Sequence, residues 1–314
     1  MSVSVIIPTY KRPVALEACI RSLLALERRP DEIVIVGRVS DTATEAKTAE
    51  LKSSVAEHVR VLDAWVDVPG HMPPVELGVQ TASGEVAVFI DDDVTVAPKW
   101  LEYLLRHFSD SRVAVVGGRV IVPGVPSPRL KGNPGQVSWY GKHWGNIASV
   151  AGTEPIEVAS VMECNWAWRR SLLLSLEFDR VLNFDHASMY GMALCFQARQ
   201  RGYKVIYDPQ ARVYHHVAPR TPELHRADRP RRTFGYCRNY TYIMLKHLPW
   251  WQAVAFLLWW FLIGERSGWG LGALIADAFE RRRFGWDGTG GPALRGKIEG
   301  ARIGVMRRLG RAFS

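Results

Sequence analysis

Three adjacent carboxylates, Asp91-Asp92-Asp93, follow the apolar run Val86-Ala87-Val88-Phe89-Ile90. A run of this kind is a buried strand, so the acids mark where the chain leaves a sheet. Side by side they repel one another, and burying them unpaired is costly. A divalent cation facing the strand end removes both problems, and an oxygen-rich site suits Mg2+ or Mn2+. The competing reading is a solvated acidic turn. An extended segment far along the chain, Ala211 to His216, carries two adjacent histidines.

The elements that position the acids alternate. Val3 to Ile7, Glu32 to Val36 and Val59 to Leu62 read as strands, with helices at Pro13 to Leu26, Thr44 to about Val55 and Pro73 to Thr81 between them. A β-α-β-α-β-α-β order gives a parallel sheet flanked by helices, and such sheets bind ligands beyond their C-terminal strand ends. Pro8-Thr9-Tyr10, Gly37-Arg38 and Asp91 to Asp93 all lie at such ends. Three loops therefore converge on one crevice, which argues against the solvated turn.

Further helices are expected over residues 98–108, from Ser171 to Leu176 and from Met192 to Arg201. Strands are expected at Val113 to Gly118 and on through Arg119 to Val122, at Tyr203 to Tyr207 and at Ala211 to His216. Residues 123–152, rich in Gly and Pro, form a long binding or lid loop with Trp139, Tyr140 and Trp144.

The 314 residues are 47% apolar and 23% charged, enough for a true core. A net charge of +9 favours an anionic partner such as a nucleotide or an acidic membrane. No helix-turn-helix or RNP-type motif accompanies that charge, so nucleic acid is not expected as a partner. Cys19, Cys164, Cys195 and Cys237 have no metal-type spacing and read as reduced core thiols. The N-terminus enters a strand directly, without a secretory pattern.

The last third changes character. Trp250 to Ile263 is almost wholly apolar, yet shorter than the about 20 residues a span requires. A helix lying in a membrane interface and a buried docking helix are both open readings. Residues 277–314 carry nine basic side chains against four acidic, a surplus of five that anionic lipid would attract. The expected division is a domain over 1–220 and a helical membrane-associating or docking region over 221–314, at the cytoplasmic face of the cell membrane.

Four segments together resemble the family 2 glycosyltransferases of the GT-A fold. They are Val5-Ile6-Ile7-Pro8-Thr9-Tyr10-Lys11-Arg12-Pro13, the acidic triplet, Asn165 to Arg170 with Phe178-Asp179, and Arg199 to Pro209 ending in Val213-Tyr214-His215. The resemblance implies a Rossmann-like, mostly parallel sheet with an apolar and basic C-terminal helical extension. It implies a metal-dependent, inverting transferase of polysaccharide or envelope synthesis. Such an enzyme moves a hexose from a nucleotide-diphosphate sugar donor to a glycan or lipid-linked acceptor. On this resemblance Pro8, Thr9, Tyr10 and Arg12 contact the nucleotide, with Asp41, Asp91 and Asp92. Asp91 and Asp93 match the two acids of the DxD motif, and with His215 (or its neighbour His216) hold Mn2+ or Mg2+.

The departures are equally specific. Relatives carry two acids after the second strand, whereas here Gly37-Arg38-Val39-Ser40 precede Asp41. Before the fourth strand an Arg-Asn pair is replaced by His71-Met72-Pro73-Pro74. Inversion needs a carboxylate to accept the acceptor hydroxyl's proton. Relatives place it just before the helix that here begins near Met192, but Tyr190-Gly191-Met192-Ala193-Leu194 has no acid. Asp185 is the nearest candidate, with His186 beside it, and Glu163 is a more distant one. The alternative is a non-catalytic nucleotide-sugar-binding relative. Trp139, Tyr140, Trp144 and Trp166 are candidates for stacking on acceptor sugars.

Overall fold

The computed structural model describes residues 1–127, 133–145, 147–184, 189–217, 229–265, 268–271 and 289–312. The N-terminal half builds as its apolar periodicity requires. β1 (Val3–Pro8), β2 (Glu32–Arg38), β3 (Arg60–Val66) and β4 (Val86–Ile90) alternate with α1 (Pro13–Leu24), α2 (Thr42–Val55) and α3 (Met72–Thr81). β1 lies between β2 and β4, β3 flanks β2, and all three pairings are parallel. Val3, Val5 and Ile7 point into one core with Leu16, Ile20 and Leu51 of α1 and α2. The intervening Ile6 faces Gly78 of α3 on the other side. Strands buried on both faces read as continuous apolar runs, which is why they were legible.

The remainder of the sheet is mixed. β5 (Val94–Val96) follows the triplet, and α4 (Trp100–Leu105), β6 (Val113–Ile121), β7 (Ile156–Glu157) and β8 (Asn165–Arg169) come next. α5 (Arg170–Leu174), α6 (Tyr190–Gln200) and β9 (Lys204–His215) complete this part. The strand order is β3-β2-β1-β4-β8-β6-β9-β5, with β7 on β9. β8 runs antiparallel between β4 and β6. The strand expected over 113–122 is β6, whereas the two segments expected at Tyr203 to Tyr207 and Ala211 to His216 prove to be one strand, β9. In β9 the Asp208-Pro209 step is a bulge, with register shifting between Gly118 and Arg119 of β6. The four cysteines are free thiols.

The chain divides into two compact units. One comprises 1–136, 144–178 and 194–221, and the other 137–143, 179–193 and 222–314. The second unit is organised by α7 (Arg229–His247), α8 (Trp250–Leu262) and α9 (Gly290–Ala312), with a short β10–β11 ribbon (Gly264–Glu265 and Gly268–Trp269). α9 lies along α7 through a glycine face. A Cβ at Gly296 would overlap the Phe234 carbonyl, one at Gly300 the Arg238 carbonyl, and one at Gly304 would stand 2.8 Å from Leu245 Cβ. The matching order of these contacts makes α7 and α9 parallel. α8, between them in sequence, packs on α7 with Tyr240 against Phe256 and Trp260. Lys297 of α9 is fully buried, donates to the Trp260 carbonyl and sits 3.9 Å from that ring's centre. None of the described helices is long and apolar enough to cross a membrane.

Candidate active site

The site is assembled at the C-terminal ends of β1 and β4. Past β1 the backbone turns sharply at Lys11, whose φ of 56° is left-handed. That strain is held by Asp41, which accepts a hydrogen bond from the Lys11 amide. The same buried carboxylate caps α2, accepting from Thr44 N at 3.1 Å and Thr44 Oγ1 at 2.5 Å. Asp41 is thus built into the support of the β1 loop. Tyr10 lies exposed in part between two cations, Lys11 Nζ and the Arg38 guanidinium, each 5.2 Å from its ring centre. Arg38 ends β2, so a cation stands at the strand end that departs from the family pattern.

The three aspartates divide their tasks. Asp92 is buried and spends both oxygens within the protein, accepting from Thr9 Oγ1 at 2.8 Å and Arg12 Nη1 at 2.9 Å. Arg12 also reaches Asp93 Oδ2 at 3.1 Å. Asp92 therefore ties the β1 loop to the end of β4. β5 pairs antiparallel with the last residues of β9, Val94 opposite His215. This register sets His215 Nε2 3.0 Å from Asp93 Oδ1. His216 points the other way and shares a hydrogen bond with Thr95 Oγ1 at 2.8 Å. Ligating atoms of Asp91, Asp93 and His215 all lie within 4.8 Å of one another.

Electrostatics favour a cation in that cluster. Burial, then the charges of Asp93 and Asp92, push the Asp91 carboxyl up to about 7, against the pull of His215. Burial also raises Asp92, with Arg12 and Thr9 opposing it. The hydrogen bond that His215 donates to Asp93, reinforced by the charges of Asp93 and Asp91, raises its pKa. A divalent ion would let all three acids ionise together, and two carboxylates with an imidazole are a fitting donor set for Mn2+ or Mg2+.

Glu163 stands two residues before β8, whose Asn165 is opposite Ile90, and its charge acts on Asp91. Asp185 and His186 lie outside the described residues. The described segment leading to them, from Asp179, belongs to the second unit and is anchored on α7. Asp179 accepts from Tyr242 and Lys246. Arg238 donates to the Val181 carbonyl at 2.9 Å, Asn239 to that of Leu182 at 3.3 Å, and the Arg238 guanidinium lies 4.7 Å from the Phe184 ring centre. Sequence reasoning missed this helix because Arg238, Asn239, Thr241 and His247 are buried polar residues that interrupt the apolar period.

The aromatic candidates separate. Trp166 is fully buried, edge-on to Trp168 at 5.2 Å and near Phe89, so it is a core residue and not a sugar platform. Trp139 is 73% exposed at the tip of a hairpin closed by Val137 and His143.

Residues 4–174 match the family Glycosyl transferase family 2. The chain belongs to that family. This transferase is 26% identical over 230 residues to a glucosyl-dolichyl phosphate glucuronosyltransferase of Haloferax volcanii, covering 68% of this chain and 69% of the relative. Its fold is that of the GT-A glycosyltransferases. GalNAc-T7, solved with UDP, GalNAc and Mn2+, superposes with a TM-score of 0.58 at 18% identity, over 77% of this chain and 48% of its own. The mannosyltransferase PcManGT of Pyrobaculum calidifontis, solved with GDP-Man and Mn2+, gives 0.55 at 17% identity, over 95% and 86%. The transferase thus spans about half the length of GalNAc-T7 and most of PcManGT.

Proposed function

We propose that this family 2 transferase moves a hexose, with inversion, from a nucleotide-diphosphate sugar to a lipid-linked or glycan acceptor at a membrane surface. The observation that carries the reading is the convergence of Asp91, Asp93 and His215 within 4.8 Å at the strand ends. These three hold Mn2+ or Mg2+. When bound, the ion supplies Lewis-acid stabilisation of the charge that develops on the leaving diphosphate. Residues 1–220 carry this chemistry, and 221–314 serve docking. The nucleotide lies against Pro8, Thr9 and Tyr10, with Arg38 and Lys11 offering positive charge beside the Tyr10 ring. Arg12, fixed by Asp92 and Asp93, adds a further cation beside the acids. Asp92 and Asp41 hold these loops in place.

Asp185 acts as the base. As the acceptor oxygen forms its bond to the anomeric carbon, the hydroxyl proton passes to this carboxylate. The bond to the diphosphate breaks on the opposite face, which inverts the configuration. The lipid-linked acceptor is supported by the activity named for the Haloferax relative, and the nucleotide donor and Mn2+ by the ligands named for the two solved neighbours.

One observation favours a second reading, a donor-binding protein without transfer. The first turn of α6, Tyr190-Gly191-Met192-Ala193, carries no acid. A screen of nucleotide sugars by thermal shift, with and without Mn2+, identifies the donor, and turnover is then compared among variants. Asp93→Asn is expected to lose the Mn2+-dependent shift. Asp185→Asn is expected to keep it while losing turnover by about a hundredfold or more. Full turnover in Asp185→Asn with loss in Glu163→Gln moves the base to Glu163. A donor shift without turnover in the parent establishes the second reading.

A further inference from the structure

α8 has two unlike faces. Ala253, Phe256 and Trp260 are buried within the second unit. On the opposite side Trp250, Trp251, Val254, Leu258 and Leu262 are all at least half exposed. Their spacing puts them on a single stripe a little over three turns long, and α8 contains no charged residue. A water-facing stripe of a soluble helix is polar, so this face is not made for water.

The hairpin 137–143 extends the same apolar character. It is fixed to α8 by the Gln252 amide on the Ser138 carbonyl at 2.8 Å and by Tyr140 against Trp259 at 5.5 Å. At its tip Trp139 is exposed, and Lys142 lies 5.7 Å from the Trp259 ring centre. α9 presents a different outer face. Opposite its glycine seam, Ile298, Val305 and Leu309 are exposed and interleaved with exposed Arg295 and Arg302.

We propose that the outer faces of α8 and α9 seat the chain monotopically on an anionic bilayer. α8 and Trp139 enter the headgroup–acyl boundary, and the α9 arginines contact lipid phosphates. The occupant follows from the chemistry of the two faces. An uncharged stripe rich in tryptophan suits the interfacial zone, and arginines among apolar side chains suit anionic headgroups. A second copy of this chain would bring those arginines against a face that offers no acids among the residues named. This deepens the membrane-borne acceptor of the preceding reading, and rests on it only for where the acceptor lies.

The full chain is sedimented with vesicles of phosphatidylcholine alone and with about a third phosphatidylglycerol added. It is expected to bind both and to prefer the anionic ones, with that preference weakened by salt. Leu258→Glu and Leu262→Glu are each expected to weaken binding to both vesicles by about tenfold. Arg302→Gln should weaken binding to anionic vesicles alone, by about fivefold. Circular dichroism and thermal melts show that the variants stay folded, as expected for exposed positions. No binding to either vesicle overturns the proposal. So does a dimer in light scattering that Leu258→Glu dissociates. Vesicle binding without donor turnover overturns the transferase reading and leaves this one standing, while turnover without vesicle binding does the reverse.

Discussion

The glycine seam between α7 and α9 makes a prediction whose sign opposes simple propensity. In an exposed helix interior, Gly→Ala stabilises by about 1 kcal/mol. At Gly300 the added methyl would overlap the Arg238 carbonyl and approach Thr241 Cβ to 2.9 Å. Backbone cannot give way as a side chain can, so α9 must move off α7 and disturb the neighbouring contacts at Gly296 and Gly304. Overpacking of this kind costs about 1–3 kcal/mol. Against the propensity gain, Gly300→Ala is expected to lose up to about 2 kcal/mol. Gly296→Ala meets the Phe234 carbonyl and should behave alike. Gly304→Ala meets Leu245 Cβ at 2.8 Å, an atom that moves only with the α7 backbone, and should also destabilise, though less than Gly300→Ala. Gly310→Ala has nothing within 4 Å and should gain a few tenths of a kcal/mol. Thermal and urea unfolding of the four variants, followed by Trp fluorescence, read the series. If Gly300→Ala is as stable as Gly310→Ala, the close parallel packing of α7 and α9 is refuted.

Lys297 and Lys246 provide two further tests. Burial lowers the Lys297 ammonium to about 8, from an ordinary value near 10.5. Between those values the unfolded chain keeps a proton that the native chain has released, so stability rises with pH across the window. Measured against Lys297→Met, the parent should gain about 2 kcal/mol from pH 7.5 to 10, and a flat difference would contradict the burial. In the Asp179–Lys246 pair, burial works against the carboxylate, while hydrogen bonds from Lys246 and Tyr242 hold it below its usual range. A depressed carboxyl stabilises above its unfolded value, and the contribution is lost as pH falls through the folded one. Lys246→Met should cost about 3–5 kcal/mol, and Asp179→Leu combined with Lys246→Met should recover much of it, as a double-mutant unfolding cycle would reveal.

What could be read from the sequence followed the regularity of burial. β1, β2 and β4 are continuous apolar runs because both their faces are covered, and the loops at their ends were located with them. β8 escaped because Asn165-Trp166-Ala167-Trp168-Arg169 leads directly into α5 and offers no turn signal. β9 read as two strands because Asp208-Pro209 resembles a turn. The buried Asp208 carboxylate, held by His107 at 2.7 Å and Arg106 at 3.0 Å, keeps that bulge within the strand. His215 and His216 could not be distinguished without the β5–β9 register. Nor could the engagement of Asp92 by Thr9 and Arg12, which depends on loops 80 residues apart.

The second unit is discontinuous in sequence, and this has a consequence for its birth on the ribosome. The hairpin 137–143 emerges well before α8, and α8 before α9 places Lys297 beneath Trp260. Synthesis at about 5–20 residues per second puts roughly 10–30 s between the hairpin and the end of α9. Through that interval Trp139, Tyr140 and the segment from Asp179 have no helical partner. The sheet of the first unit can be complete while they wait, so the interval is a window for aggregation or for capture by chaperone or lipid. Slowing translation between residues 217 and 290 would lengthen this window without altering one atom of the native protein.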